Sequence, residues 1–126
     1  LAEDELLFKT DAVVEGIHFS KDTSPEQIGH KALARCLSDF AAMGGRAVSA
    51  LVTLALPTLF DPKMIQAIYA GMTKLAERYQ VAISGGETTS NPERLLISIA
   101  ALGLVPKGQA SLRSGARAGD AIFVTG

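Results

Sequence analysis

Apolar residues recur every three to four positions in two stretches of the chain and run almost continuously in the stretches between, which predicts helices alternating with strands. The clearest periodic stretch is 24–45, SPEQIGHKALARCLSDFAAMGG. Ile28, Ala32, Leu33, Cys36, Leu37, Phe40 and Ala41 fall on one helical face. Ser24 with Gln27 makes a capping box, and Pro25 takes the first helical position, where a missing N–H costs nothing. Gly44 and Gly45 supply a left-handed exit. Asp61 and Pro62 repeat the start signal, and Met64, Ile65, Ile68, Met72, Leu75 and Ala76 predict a second helix running to about Tyr79. Lys63, Lys74, Glu77 and Arg78 make its solvated face.

The other stretches read as strands. The run 6–14 is rich in Leu, Phe and Val, and VEGIHF, 14–19, continues it with a bend at Gly16. The run 46–57 is apolar at nearly every position, which predicts burial on both faces or packing against another chain. A short strand at 81–84, a longer one at 94–106 with a bend at Gly103, and a last one in AIFVTG, 121–126, complete the order strand, helix, strand, helix, strand, strand, strand. This is an α/β or α+β layer: a mixed sheet of four to five strands covered on one face by two helices, with the other face apolar and used for dimerisation.

Composition narrows the class. At 126 residues and 48% hydrophobic content the chain makes one domain with a real core. A formal charge of −1 and no basic run exclude the electrostatic case for nucleic acid or an anionic membrane. One cysteine precludes an internal disulfide and fits a reducing, cytoplasmic setting. Cys36 lies on the apolar helix stripe and reads as a packed thiol. No signal peptide and no apolar run long enough to cross a bilayer is present. Both ends fall in or beside strand-like runs, so the sequence reads as a segment of a larger protein.

Several polar residues sit where packing alone does not want them. Asp39 lies near the end of the first helix, where the dipole disfavours negative charge, and calls for a partner. Arg35, one turn earlier, can supply an exposed ion pair; a metal ion is the sharper alternative. Thr10 and Asp11 interrupt an apolar strand, which needs edge exposure, a bulge or a ligand. His18 follows alone in the next turn. In GGETTSNPE, 85–93, Gly85 and Gly86 directly after a strand let the backbone approach a ligand, and Glu87 and the hydroxyls offer hard oxygen donors; the alternative is a polar turn between two strands. The spaced glycines and closing Lys-Ser/Thr of a Walker loop are absent. Arg113, before Ser114 and Gly115, carries a fork of donors suited to phosphate, although turn arginines are common on any surface.

The segments TDAVVEGIHF, IGHKALARCLSDFAAMGG, ISGGETT, GLVP and RSGARAGDAIFVTG, in this order and spacing, resemble the N-terminal domain of the thiamine-monophosphate kinases. Those enzymes share a superfamily with aminoimidazole ribonucleotide synthetase, selenophosphate synthetase and a hydrogenase maturation protein. The resemblance implies ATP-dependent phosphorylation of thiamine monophosphate to thiamine diphosphate through a multi-magnesium site, with Mg2+ and ATP as cofactors and a homodimer as the assembly. It implies that Thr10 and Asp11 are a magnesium-ligand pair, that Asp39 bridges several magnesium ions and is central to catalysis, and that His18 meets the thiamine phosphate. Gly85, Gly86 and Glu87 match a nucleotide-contacting GGD motif that also holds metal, and Arg113 matches an arginine that contacts ATP. Three positions depart from the pattern. Glu87 replaces an aspartate, Cys36 stands for the usual Asn, and Lys9 precedes Thr10 where a small hydroxyl residue is usual. Lys9 either weakens magnesium binding by its charge or points away. The resemblance also implies that residues 1–126 are a single N-terminal ATP- and magnesium-binding domain, lacking an upstream Gly-Asp-Asp loop and a C-terminal domain and inactive or nearly so alone. Two rival readings are another ATP-using member of the superfamily, and a non-catalytic dimerising domain whose strand 46–57 builds a shared sheet.

Overall fold

The computed structural model describes residues 3–124. In chain order the elements are β1 (Asp4–Val14), α1 (Pro25–Ala42), β2 (Arg46–Leu56), α2 (Pro62–Tyr79), β3 (Ala82–Ser90), β4 (Leu96–Pro106) and a 3-10 turn at Arg113–Gly115. The four strands form one mixed sheet in the order β1-β4-β2-β3. β4 runs antiparallel to both β1 and β2, while β3 runs parallel to β2.

Both helices begin as their capping signals require. Ser24 Oγ accepts the Gln27 N–H at 3.3 Å, and Asp61 Oδ1 accepts the Lys63 N–H at 2.9 Å. α1 ends on Gly44 at φ +72° and α2 on Gln80 at φ +56°. Gly45 does not share the left-handed exit; a Cβ there would meet Leu7 Cδ1 at 2.5 Å, so it serves close packing instead.

Residues directly opposite in the ladder share a face. Leu7, Val13, Ala50, Val52, Leu54, Ile97, Ile99, Ala101 and Val105 turn to the helices and form one core with Leu33, Cys36, Phe40, Ile68 and Met72. The alternate set is uncovered: Phe8 is 70% exposed and Leu51 51%, with Leu6 and Leu102 on the same face. β2 is therefore buried mainly toward the helices: on its other face Ala55 is buried but Leu51 is exposed, and among the described residues no second layer covers that face.

Three expectations need correction. β3 does not end at Ser84 but continues through Gly85–Ser90, paired to Leu51–Leu56 of β2 after a bulge at Ser84, so GGETTS is strand and only the residues after it form a connection. Gly103 makes no bend: it pairs with Leu7 and Ala47 in an unbroken β4, and a Cβ there would meet the Phe40 ring at 2.5 Å. Residues 121–124 form no strand, and Ile122, Phe123 and Val124 are exposed. β-propensity marks such a run, but a strand exists only where a neighbour takes up its N–H and C=O groups, and this segment joins no sheet edge. The last two residues of that expected strand lie outside the described residues.

Candidate active site

Lys31, Arg35 and Asp39 follow one another at helical spacing along α1, and each is bonded to the β1 side of the domain. Lys31 Nζ donates to the backbone carbonyl of His18. Arg35 Nε and Nη2 fork onto Asp11 Oδ2 and Oδ1, both at 3.2 Å. Lys9 Nζ lies 2.5 Å from Asp39 Oδ2 and 3.9 Å from Asp11 Oδ2. This corrects the partner expected for Asp39. Arg35 reaches across to the strand, and the carboxylate one turn further on is met by Lys9. The acids can stand in an otherwise apolar strand and helix end because β1 is an edge strand, where the helix-facing positions Lys9 and Asp11 remain partly solvated.

The charges are tuned by these contacts. Burial pushes the Asp11 carboxyl up, but the Arg35 fork, the Ala12 N–H and the charges of Arg35 and Lys9 outweigh it and hold the group below its ordinary value. The hydrogen bond to Asp39 keeps the Lys9 ammonium above its ordinary value. Both groups are thus firmly ionised near neutral pH. Cys36 is different: burial pushes its thiol up to about 11, and its Sγ lies 3.7 Å from the Ile99 carbonyl it donates to. A buried thiol of that pKa is packing material, not a nucleophile.

Past β1 the chain turns at Gly16, whose φ is +79°, and Phe19 anchors the turn in the core. His18 Nδ1 accepts the Val14 N–H at 3.0 Å. With Nδ1 used as an acceptor, the neutral ring carries its proton on Nε2, which makes His18 a hydrogen-bond donor at its outer edge.

At the opposite end of the stripe, Ser111 N–H bonds the Met43 carbonyl at 3.0 Å and ties the segment after β4 to the end of α1. Arg113 is thereby placed in a cleft of about 500 Å³ whose walls include Lys9, Asp39, Phe8 and Met43. Asp11, Asp39 and Arg113 thus occupy one region of the surface.

The remaining candidates lie elsewhere. Thr10 alternates with Asp11 and turns to the uncovered face. Gly85, Gly86 and Glu87 are on β3, at the far edge of the sheet, where they line a shallow depression with Tyr69 and Thr88. Glu87 pairs with Thr53 on the uncovered face, so it is separated from Asp11 and Asp39 by the width and the thickness of the sheet. Among the described residues no group of three His, Cys, Asp or Glu side chains converges on one point. Gly86 has a structural duty of its own, since a Cβ would fall 1.7 Å from the Val52 carbonyl oxygen. The contributions of Lys31 and Arg35 were not legible beforehand; their spacing marks one face of α1, but nothing local says which strand that face meets.

Two helices cover one face of a mixed sheet, and the Asp11 carboxylate stands on its edge strand beside Asp39 of α1. Residues 1–105 match the AIR synthase related protein, N-terminal domain, and the chain belongs to that family. It is 45% identical over 117 residues to the thiamine-monophosphate kinase of Bacillus subtilis (strain 168), spanning 92% of this chain and 36% of that protein. Its identity to the thiamine-monophosphate kinase of Rhodopirellula baltica is 47% over 118 residues, 93% of this chain and 37% of that protein. The chain spans little more than a third of the length of these curated relatives. Among solved structures, AaThiL complexed with AMPPCP and TMP matches with a TM-score of 0.85 and 32% identity, over 90% of this chain and 36% of that one. Hydrogenase maturation protein HypE in complex with ATP shares the fold, with a TM-score of 0.76 at 22% identity over 90% of this chain and 34% of that one. Among the described residues no helix is long and apolar enough to cross a membrane.

Proposed function

We propose that residues 1–126 are the N-terminal nucleotide- and metal-binding domain of a kinase that moves the γ-phosphate of ATP onto thiamine monophosphate, giving thiamine diphosphate and ADP. The observation that carries this reading is the single cation position shared by Asp11 and Asp39 beside Arg113, in a chain 45% identical to a thiamine-monophosphate kinase. The similarity to AaThiL complexed with AMPPCP and TMP supports the same pair of ligands.

The donor chemistry fits magnesium: the Asp11 and Asp39 carboxyl groups offer hard oxygens, and a cation, the Lys9 ammonium, already contacts Asp39 and lies 3.9 Å from Asp11. Magnesium held there supplies charge neutralisation and alignment for phosphates that otherwise repel each other. Asp39 and Asp11 are its ligands in this chain. Arg113 extends its fork to the nucleotide phosphates in the cleft it shares with Asp39, and His18 donates from Nε2 to the acceptor phosphate. That acceptor is already ionised near neutral pH, so no general base and no nucleophilic side chain is required, in keeping with the inert Cys36. The Thr10 side chain lies on the uncovered face, so Thr10 could join Asp11 at a metal only through its backbone.

The uncovered face of Leu6, Phe8, Leu51 and Leu102 is the homodimer interface in this reading. Gly85, Gly86 and Glu87 then serve the nucleotide from the β3 edge. Glu87, at the opposite edge and on the opposite face from Asp11 and Asp39, stays out of their metal position within one copy. The formal charge of −1 and the lack of a basic run argue against nucleic acid or an anionic membrane as a partner, and one cysteine is compatible with a cytoplasmic setting.

Given magnesium, ATP and thiamine monophosphate, the full-length protein is expected to form thiamine diphosphate and ADP in equal amounts. No product from a protein that binds Mg·ATP would assign a different acceptor, and no binding at all would leave a scaffold. Sedimentation equilibrium of that protein is expected to give twice the monomer mass; a monomer would remove the interface.

A further inference from the structure

Lys9 holds the position between two carboxylates where a cation is favoured. Its Nζ is in contact with Asp39 and within 4 Å of Asp11, so one ammonium answers two carboxylates. A divalent ion and an ammonium cannot share that place: their charges repel at contact distance, and the Asp39 Oδ2 atom committed to Lys9 is lost to a metal, which needs its oxygens at about 2.0–2.1 Å. Arg35 also engages the pair, bonding Asp11 Oδ2 through Nε and Oδ1 through Nη2 at 3.2 Å, but each carboxylate oxygen has a second lone pair and Oδ2 has no other bonded partner, so Asp11 keeps one donor position open. Lys9 is also built to move. Its side chain is 30% exposed, has a four-carbon stem and a single bonded end, and opens on the cleft that contains Arg113.

We propose that Lys9 is a resident cation that fills the divalent position between Asp11 and Asp39 in the ligand-free domain, and that metal binding displaces it into the Arg113 cleft, where it pairs with phosphate oxygens of the nucleotide. This rests on the reading of Asp11 and Asp39 as metal ligands. Lys9 then acts in two ways. Alone, it lowers the affinity of the site for divalent ions, because each incoming ion must break the Lys9–Asp39 pair. With nucleotide present, phosphate replaces the lost carboxylate partner, so metal and nucleotide binding strengthen each other.

The test is Mn2+ binding, followed by the EPR signal of free Mn2+, in the full-length protein, Lys9→Met, Lys9→Thr and Asp39→Asn, each with and without a non-hydrolysable ATP analogue. Met keeps the length of the stem and Thr suits a strand, so the two fail to fold for different reasons if at all. Without nucleotide, both Lys9 variants are expected to bind Mn2+ at least about tenfold more tightly than the parent, and with the analogue that gap is expected to close. Equal or weaker binding in a folded Lys9 variant, with Asp39→Asn abolishing it, would overturn the role of Lys9 and leave the metal site standing. A gap that the analogue leaves unchanged would overturn the move to phosphate. Mn2+ binding absent from the parent and from both Lys9 variants would overturn the metal reading and this inference together.

Discussion

Asp39→Asn is expected to lower phosphoryl transfer by the full-length protein at least about 10³-fold, because the change removes the charge that holds the metal while keeping the shape of the side chain. The fold should survive. The Asp39 side chain is 48% exposed and, among the described residues, its only ion pair is with Lys9, itself 30% exposed. Pairs of that kind contribute about 1 kcal/mol or less. The measurement is kcat beside the thermal midpoint: a large loss of turnover at a nearly constant midpoint places Asp39 in the catalytic machinery, and full turnover removes it. A variant that lost both together would point instead to a structural role at the end of α1.

Gly29→Ala is expected to cost the domain much of its stability. Gly29 on α1 and Gly71 on α2 mark the place where the two helices cross with their backbones almost touching. A Cβ on Gly29 would fall 1.9 Å from the Ile68 carbonyl oxygen, and one on Gly71 would fall 2.0 Å from that of Glu26. Carbonyl oxygens of a neighbouring helix cannot swing aside as a side chain can, so the helices must separate along their whole contact, loosening Ile28, Leu33, Ile68 and Met72 against one another. We expect a loss of about 3 kcal/mol or more, a large part of the stability of a domain this size. The urea midpoint measures it, with Gly115→Ala as the control, since nothing lies within 4 Å of a Cβ there. An unchanged midpoint for Gly29→Ala would show that the crossing can open at little cost.

Much of the architecture was legible because its signals are local. Ser24 and Asp61 act on N–H groups two or three residues away, and the apolar stripes of both helices are set by a period of 3.6. The layered fold follows, since two helices with one apolar face each need a sheet to cover. The expected end of β3 at Ser84, with 85–93 read as an approach to a ligand or a polar turn, had a different cause. Gly-Gly followed by polar residues has low strand propensity, and what makes it strand is the free edge of β2 beside it, a partner some thirty residues earlier in the chain.

The candidate site divides in the same way. Charge misplacement within a helix and a strand singled out Asp39 and Asp11 as residues in need of partners, and the motif resemblance named Arg113 and His18. The partners themselves depended on register. Because β1 lies beneath α1 at the sheet edge, Arg35 meets Asp11 and Lys9 meets Asp39, an exchange that spacing along one helix cannot show. The placement of Glu87 at the opposite edge, on the opposite face, likewise follows from the strand order β1-β4-β2-β3. What the amino-acid sequence determined by itself was where helices start and stop, which faces are apolar and which acids are out of place, since these rest on interactions within about one turn. Tertiary structure alone decided which charges neutralise one another, which glycines admit a second backbone and which acids share a site. Those depend on approaches between segments far apart in the chain, and a change of one residue in strand register would reverse them.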